Sequence, residues 1–259
     1  MPAEILPLAD RLNSLFADIV RTREKERNFT ADAAHELRTP LAALKAQAQV
    51  AQASAQEDER QHALKKIIEG CDRATHLVAQ LLTLARLDAK LEGNMEPLSL
   101  RALAEEVLAG CAGKAIETGC ELELDEGDAK ITGDPLLLRV LLRNLVDNAL
   151  LHSGGKHVQV SIELRDASAL LRVLDDGRGI PESDRKNVTQ RFYRVRQINP
   201  VHRDLPDDNQ HTANGTGLGL SIVARITELH RAELSIQAGA DGYGTEVTVR
   251  FRPSSAPVP

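Results

Sequence analysis

Aromatic residues are nearly missing: four Phe, two Tyr and no Trp in 259 residues. The core must therefore be built from Leu, Ile, Val and Ala. Cysteine is as sparse. Cys71, Cys111 and Cys120 are odd in number and show no Cys-x-x-Cys spacing, so neither a disulfide framework nor a zinc site is expected. They read as small buried hydrophobes of a reducing compartment. No apolar run approaches the roughly 18 residues of a membrane helix, and the first residues lack a signal-peptide pattern, so no membrane anchor is expected within this sequence. A basic excess is absent too: the formal net charge of −6 argues against a nucleic-acid surface. What is there is 27% charged and 42% apolar residues, the balance of a globular chain with room for one large or two ordinary domains.

The apolar residues are spaced for long helices. Ile5, Leu8, Leu12, Leu15 and Ile19 form a coiled-coil seam. With no turn signal the chain continues into Leu37, Leu41, Leu44, Ala48 and Ala51, which predicts one helix over about residues 4–53 with a buried stripe. Residues 54–58 are polar. A second stripe follows at Leu64, Ile67, Cys71, Ala74, Val78, Leu81 and Ala85. Two long helices and a short loop make an antiparallel hairpin with an exposed seam. Pairing with a second copy as a four-helix bundle would cover it, so a homodimer is expected.

Gly93 and Pro97 punctuate the end of the hairpin. Ser99 then caps a helix over 100–118, strands fall near 121–124 and 130–131, and Asp134-Pro135 starts a helix to about 151. Neighbouring strands are predicted at 158–164 and 170–174, a short helix at 182–190, a polar loop over 195–214 and a helix at 217–230. Strands at 234–237 and 245–251 and a disordered tail at 253–259 complete the chain. This order predicts an α+β two-layer sandwich with helices on one face of a mixed sheet.

Five stretches carry candidate chemistry. His35 lies about 200° around the helix from Leu37 and about 180° from Leu44, so it faces solvent beside Glu36, just before the helix-weakening Pro40. It is either an ordinary surface histidine or a reactive group on a deformable element. Asn144 and Asn148 share a helix face; their amide oxygens suit a hard cation such as Mg²⁺, or merely solvate the helix. Asp175 opens Asp-Asp-Gly-Arg-Gly after an apolar strand, where it can accept a hydrogen bond from a purine amino group or belong to a plain turn. Gly215, Gly217 and Gly219 form a loop opening a helix, either a phosphate cradle or a hinge. It fits neither the dinucleotide fingerprint nor a Walker loop. Residues 242–245 are explained fully by a tight hairpin turn.

Together and in this order, these stretches resemble a bacterial sensor histidine kinase of the EnvZ-like class. His35 to Pro40 resembles its H box, Asn144 to Asn148 the N box, and Asp175 to Gly179 the first glycine box. Arg191-Phe192-Tyr193-Arg194 resembles the F box, Gly215 to Leu220 the second glycine box, and Gly242 to Thr245 the last. The ATP-binding half is similar to the GHKL (Bergerat) fold shared with gyrase, Hsp90 and MutL. The resemblance implies a signalling coiled-coil helix (1–28), a helical hairpin for dimerisation and phosphotransfer (29–92), a catalytic ATP-binding domain (93–252) and the tail.

It further implies ATP and Mg²⁺ as cofactors, with Asn144 and Asn148 on the metal, Asp175 on the adenine amino group, and Gly177 and Gly179 beside it. Arg191, Arg194, Gly215, Gly217, Leu218, Gly219, Leu220 and Thr245 complete the implied nucleotide site, under a lid over 182–214. His35 would take the γ-phosphoryl group, Glu36 would orient the imidazole and accept its proton, and Thr39 would align a water in regulator dephosphorylation. The implied partner is a response-regulator receiver domain. The implied location is the cytoplasmic portion of an inner-membrane sensor protein. Three departures stand out. Leu151 occupies a position usually basic, the lid is long and polar, and His152 follows Leu151 as surface or lid packing. A hydrolytic ATPase of the gyrase type would need a glutamate where Asn144 stands, and an amide is no general base. A nucleotide-binding dimeric scaffold without catalysis is the other alternative.

Overall fold

The structure is a computed structural model that describes residues 6–88, 94–195, 215–239 and 242–252. The polar loop expected up to residue 214 and the tail lie outside the described residues. The chain divides into two compact units, Met1–Leu81 and Leu82–Pro259.

The first unit holds α1 (Leu6–Ala53) and most of α2 (Glu57–Asp88). The link between them is a serine turn. Ser54 Oγ accepts from Gln56 N at 3.2 Å and donates to Glu59 Oε2 at 2.6 Å, while Glu57, Asp58 and Glu59 complement the start of α2. Helix α1 continues through Pro40. The missing N–H of Pro40 is the one that would bond the carbonyl of Glu36, the neighbour of His35.

The sequence pattern locates the helices, and within one chain much of the α2 stripe lies exposed, as expected of a hairpin seam. Ala63 and Gly70 are buried with Leu77 and Gln80, whereas Leu64, Ile68, Cys71 and Val78 are exposed. The covered face is offset by one residue because helices approach most closely where side chains are smallest. A Cβ on Gly70 would lie 2.7 Å from Leu44 Cδ2. On α1, Leu37, Leu44 and Ala51 are half-buried, and Leu41 and Ala48 are exposed. Cys71 is therefore not the buried hydrophobe expected of it; Cys111 and Cys120 are.

The second unit opens with the last turns of α2, where Leu84 and Leu87 are buried. Strand β1 (Glu96–Ser99), unforeseen in the sequence, pairs antiparallel with β3 (Lys130–Gly133). Between them lie α3 (Leu100–Thr118) and β2 (Glu121–Leu124). Helix α3 is capped by Ser99, whose Oγ accepts from Ala102 N at 3.1 Å, and stopped by Gly119 at φ +67°. Then come α4 (Pro135–His152), β4 (His157–Arg165), β5 (Ser168–Asp175), α5 (Glu182–Arg185), α6 (Gly219–Leu229), β6 (Glu233–Ala238) and β7 (Thr245–Phe251). The short helix α5 ends well before residue 190; turns replace the rest of the expected helix.

The main sheet runs β2-β4-β5-β7-β6, parallel between β2 and β4 and antiparallel elsewhere. Helices α3, α4 and α6 cover one face, as expected of a two-layer sandwich. The core is almost wholly aliphatic: Leu138, Leu141, Leu142, Leu145 and Val146 of α4 meet Ile222, Val223 and Ile226 of α6. Each fully buried side chain of this size stabilises by about 1.5–3 kcal/mol. Burying Leu218, Ile222 and Ile226 at four-residue spacing fixes the rotation of α6, which turns Gly219 towards α4.

Candidate functional site

Helix α4 begins at a double cap. Asp134 Oδ1 accepts from Leu136 N at 2.9 Å and Leu137 N at 3.1 Å, with Pro135 in the first turn. Ten and fourteen residues on from Asp134, Asn144 and Asn148 emerge on the face beside α6. Asn144 Nδ2 donates to Val140 O at 2.8 Å, which fixes the orientation of its amide. Its Oδ1 and the Oδ1 and Nδ2 of Asn148 converge on Gly219, where a Cβ would lie 3.2, 3.1 and 3.2 Å from them. Leu218, at the N-cap of α6, makes no side-chain cap, and Thr216 Oγ1 accepts from Leu218 N at 3.3 Å. Two amide oxygens thus face an uncapped helix start, a donor set that fits a hard cation shared with phosphate.

The end of β5 supplies the second part. Asp175 is 7% exposed, and its Oδ1 accepts from Gly177 N at 3.0 Å. Thr245, its β7 partner, donates to it from both backbone and hydroxyl. Burial pushes the Asp175 carboxyl above the usual carboxylate range, against the pull of those bonds. Adjacent Asp176 behaves oppositely. It accepts from His157 N at 2.9 Å and Lys156 N at 2.7 Å, and these bonds hold its pKa below the ordinary value. One aspartate fastens the turn; the other lines the site.

The glycines around Asp175 are dictated by close backbone packing. A Cβ on Gly177 would lie 2.2 Å from Ser153 O, one on Gly179 2.7 Å from Gly244 O, and one on Gly244 1.7 Å from Asp175 O. Residues 175–179, the end of α4 and the β6–β7 turn therefore meet at one point. Ser153 and Gly244 belong to this junction. The glycine spacing of residues 242–244 hinted at the second; nothing in the sequence marked the first.

The remaining expected residues are distributed as follows. Gly217, at φ +67°, abuts the Arg-Phe-Tyr-Arg stretch: a Cβ there would lie 2.8 Å from the Phe192 carbonyl carbon, and Phe192 N donates to Gly217 O at 2.9 Å. Phe192 itself has φ 62°, an uncommon conformation for a bulky residue. Leu218 is wholly buried, so only its backbone can serve a ligand; Gly215 and Leu220 are half-buried. Thr245 is buried and positions Asp175. Arg194 is half-buried, and Arg191 binds the Asp88 carboxylate. Leu151 is 42% exposed and offers no cation, while the His152 side chain lies outside what is described. In the first unit, His35 and Thr39 are exposed and Glu36 is half-buried. Among the described residues no helix is long and apolar enough to cross a membrane.

Comparisons with known proteins agree with this geometry. Residues 25–90 match the family model of the His Kinase A (phospho-acceptor) domain, and residues 133–255 that of the histidine kinase-, DNA gyrase B- and HSP90-like ATPase. The chain is 39% identical over 262 residues to sensor protein kinase PmrB of Pseudomonas aeruginosa, covering 99% of this chain and 52% of that protein. To sensor protein QseC of Escherichia coli it is 40% identical, covering 97% and 53%. It thus spans about half the length of these relatives. Two solved structures share the fold. The Acinetobacter baumannii histidine kinase AdeS has a TM-score of 0.66 at 23% identity, over 85% of this chain and 98% of that one. Full-length ShkA, solved with AMPPNP, has a TM-score of 0.60 at 23% identity, over 90% and 47%. With a phospho-acceptor region followed by an ATPase region, matched in that order, the chain belongs to the sensor histidine kinase family.

Proposed function

We propose that this chain is the catalytic core of a sensor kinase that transfers the γ-phosphoryl group of ATP to His35 and then to an aspartate of a response regulator. The carrying observation is the convergence of Asn144 and Asn148 on the uncapped start of α6, in the same unit as the buried Asp175. Asp175 accepts a hydrogen bond from the adenine amino group. That donor relieves a carboxylate whose burial disfavours its charge. Backbone N–H groups of the Gly215–Gly219 loop hold the phosphates. Mg²⁺, when bound, neutralises phosphate charge; Asn144 and Asn148 supply its protein oxygens.

The chain's own part in the transfer is positioning and proton handling. A ring nitrogen of His35 forms a bond to the γ-phosphorus as the bond to the leaving ADP oxygen breaks. Glu36 takes the imidazole proton. Exposure of His35 supports its access to a separate nucleotide-binding unit. Pro40 has no N–H to donate back along α1, so the helix bends most easily beside the acceptor. Thr39, one turn from His35, aligns the water that removes phosphate from the regulator. The exposed Leu64, Ile68 and Val78 favour pairing with a second copy. The whole protein is read as an inner-membrane sensor of which this chain is a cytoplasmic portion. An amide at Asn144, where a hydrolytic ATPase needs a base, favours transfer over hydrolysis. The test is incubation with γ-labelled ATP. The parent chain should take up label, and His35→Ala and Asp175→Asn should each lose it. Undiminished labelling of His35→Ala would refute the assignment.

A further inference from the structure

Arg191 is expected at the nucleotide phosphates, yet its guanidinium is engaged elsewhere. Its Nη2 donates to both carboxylate oxygens of Asp88, at 2.8 and 2.7 Å, across 103 residues of sequence. Asp88 is the last residue of α2, where the helix dipole adds partial negative charge. A second arginine attends the same helix end. Arg225 of α6 donates through Nη2 to Leu87 O at 3.4 Å, and its Nε stands 3.8 Å from Asp88 Oδ1. That Nε is buried without a hydrogen-bond partner, while Nη1 is held by Glu228 at 2.9 Å. Leu84 and Leu87, buried beneath, fix this last turn of α2 in the second unit.

The placement of Arg191 couples this cluster to the glycine loop. The next residue, Phe192, bonds Gly217 O and packs on Gly217 so closely that no Cβ fits. Its left-handed φ of 62° turns the backbone sharply just after Arg191. A guanidinium so close in the chain to the phosphate cradle has two anions to choose from, a carboxylate on α2 or a phosphate on the loop. The Nη2 that meets both Asp88 oxygens cannot serve a phosphate at the same time.

We propose that Asp88 is a latch that competes with nucleotide phosphate for Arg191, with Arg225 positioning the helix end that carries it. Nucleotide binding thereby opens the contact between α2 and the ATP-binding fold, and closure of the latch weakens nucleotide binding. The reading rests on the nucleotide site proposed above. Asp88 is a positioning residue; it touches no substrate.

The experiment measures binding of MgATP and of adenosine, which lacks phosphate, to the full chain by calorimetry. Asp88→Asn, at an exposed position, should tighten MgATP binding about twofold to fivefold, the range for a partly exposed charge pair. Adenosine binding should not change. In the Arg191→Ala background the gain from Asp88→Asn should vanish, a non-additivity that a merely structural Asp88 would not produce. Asp88→Ser supplies the same comparison with a smaller side chain. Equal MgATP affinity of parent and both Asp88 variants, or a gain that survives Arg191→Ala, overturns the latch. A parent that binds no MgATP overturns the nucleotide site itself, which separates the two failures.

Discussion

Gly219→Ala separates stability from nucleotide binding. Gly219 is the first residue of α6 and is absent from the positive-φ residues, so alanine suits its backbone. Replacing glycine there gains about 0.4–1 kcal/mol by narrowing the unfolded ensemble. Against this, the new Cβ would sit 3.1 Å from Asn148 Oδ1 and 3.2 Å from Asn144 Oδ1, a few tenths of an ångström too close. Asn144 resists retreat because its Nδ2 is tied to Val140 O at 2.8 Å. Pushing side chains off their rotamers costs about 0.5–1.5 kcal/mol. The two effects nearly cancel, so the melting temperature should move by no more than about 4 °C for a unit of this size. Binding should not escape. A methyl group fills the point where both amide oxygens converge, and Mg²⁺ tolerates little departure from its 2.0–2.1 Å ligand distances. The affinity for MgATP, read by calorimetry beside a thermal melt, should fall at least about tenfold, or 1.4 kcal/mol. Binding within twofold of the parent would refute the convergence as the metal-phosphate site. A melting temperature lowered by more than about 10 °C would refute the packing argument. Gly244→Ala is the contrast: with φ +71° and a Cβ 1.7 Å from Asp175 O, it should lose stability and binding together.

Three further outcomes follow from named groups. Asp175 has its folded pKa raised by burial, so its contribution to stability is full below the unfolded value of about 3.9 and is lost as pH rises through the folded value. Asp175→Asn should therefore melt no lower than the parent at pH 8 while losing ATP, with an advantage that shrinks on acidification; an advantage that grows would contradict the sign. His230 is the opposite case. Its Nε2 accepts from Asp134 N at 3.0 Å, its Nδ1 meets Ile226 O at 2.8 Å, and burial lowers its pKa. Its stabilisation is full above about pH 6.5 and is lost as pH falls through the folded value, by about 1–3 kcal/mol. The melting temperature of His230→Gln should vary less with pH in that window; an unchanged pH slope would refute the role. Thr39→Ala should retain labelling from ATP but slow the loss of phosphate from a regulator at least about tenfold; equal loss of both would remove its separate role.

The helices were legible because their determinants are local. Ser99 and Asp134-Pro135 announce α3 and α4 within a few residues, and both caps are formed. Strand β1 was not legible. Pro97 resembles linker punctuation, yet it sits in a short strand paired only with β3, where a missing donor is tolerated. The face of α2 covered within one chain was not legible, because apolar periodicity counts large residues, whereas Gly70 lies against Leu44 of α1 and Ala63 is buried. In the site, Asn144, Asn148 and the glycines could be picked out by spacing. Which of Asp175 and Asp176 stays available could not, since that depends on Lys156 and His157 about 20 residues earlier. The Asp88 contact with Arg191 spans more sequence still and carries no local signal at either end.

The central claim is that phosphate comes to rest on His35. It is tested most directly by mapping the phosphorylated residue after incubation with MgATP, using mass spectrometry under alkaline conditions. One acid-labile phosphate should be found on His35, absent from Asp175→Asn. Acid-stable phosphate on a hydroxyl residue, or steady release of inorganic phosphate with His35 unmodified, would contradict it.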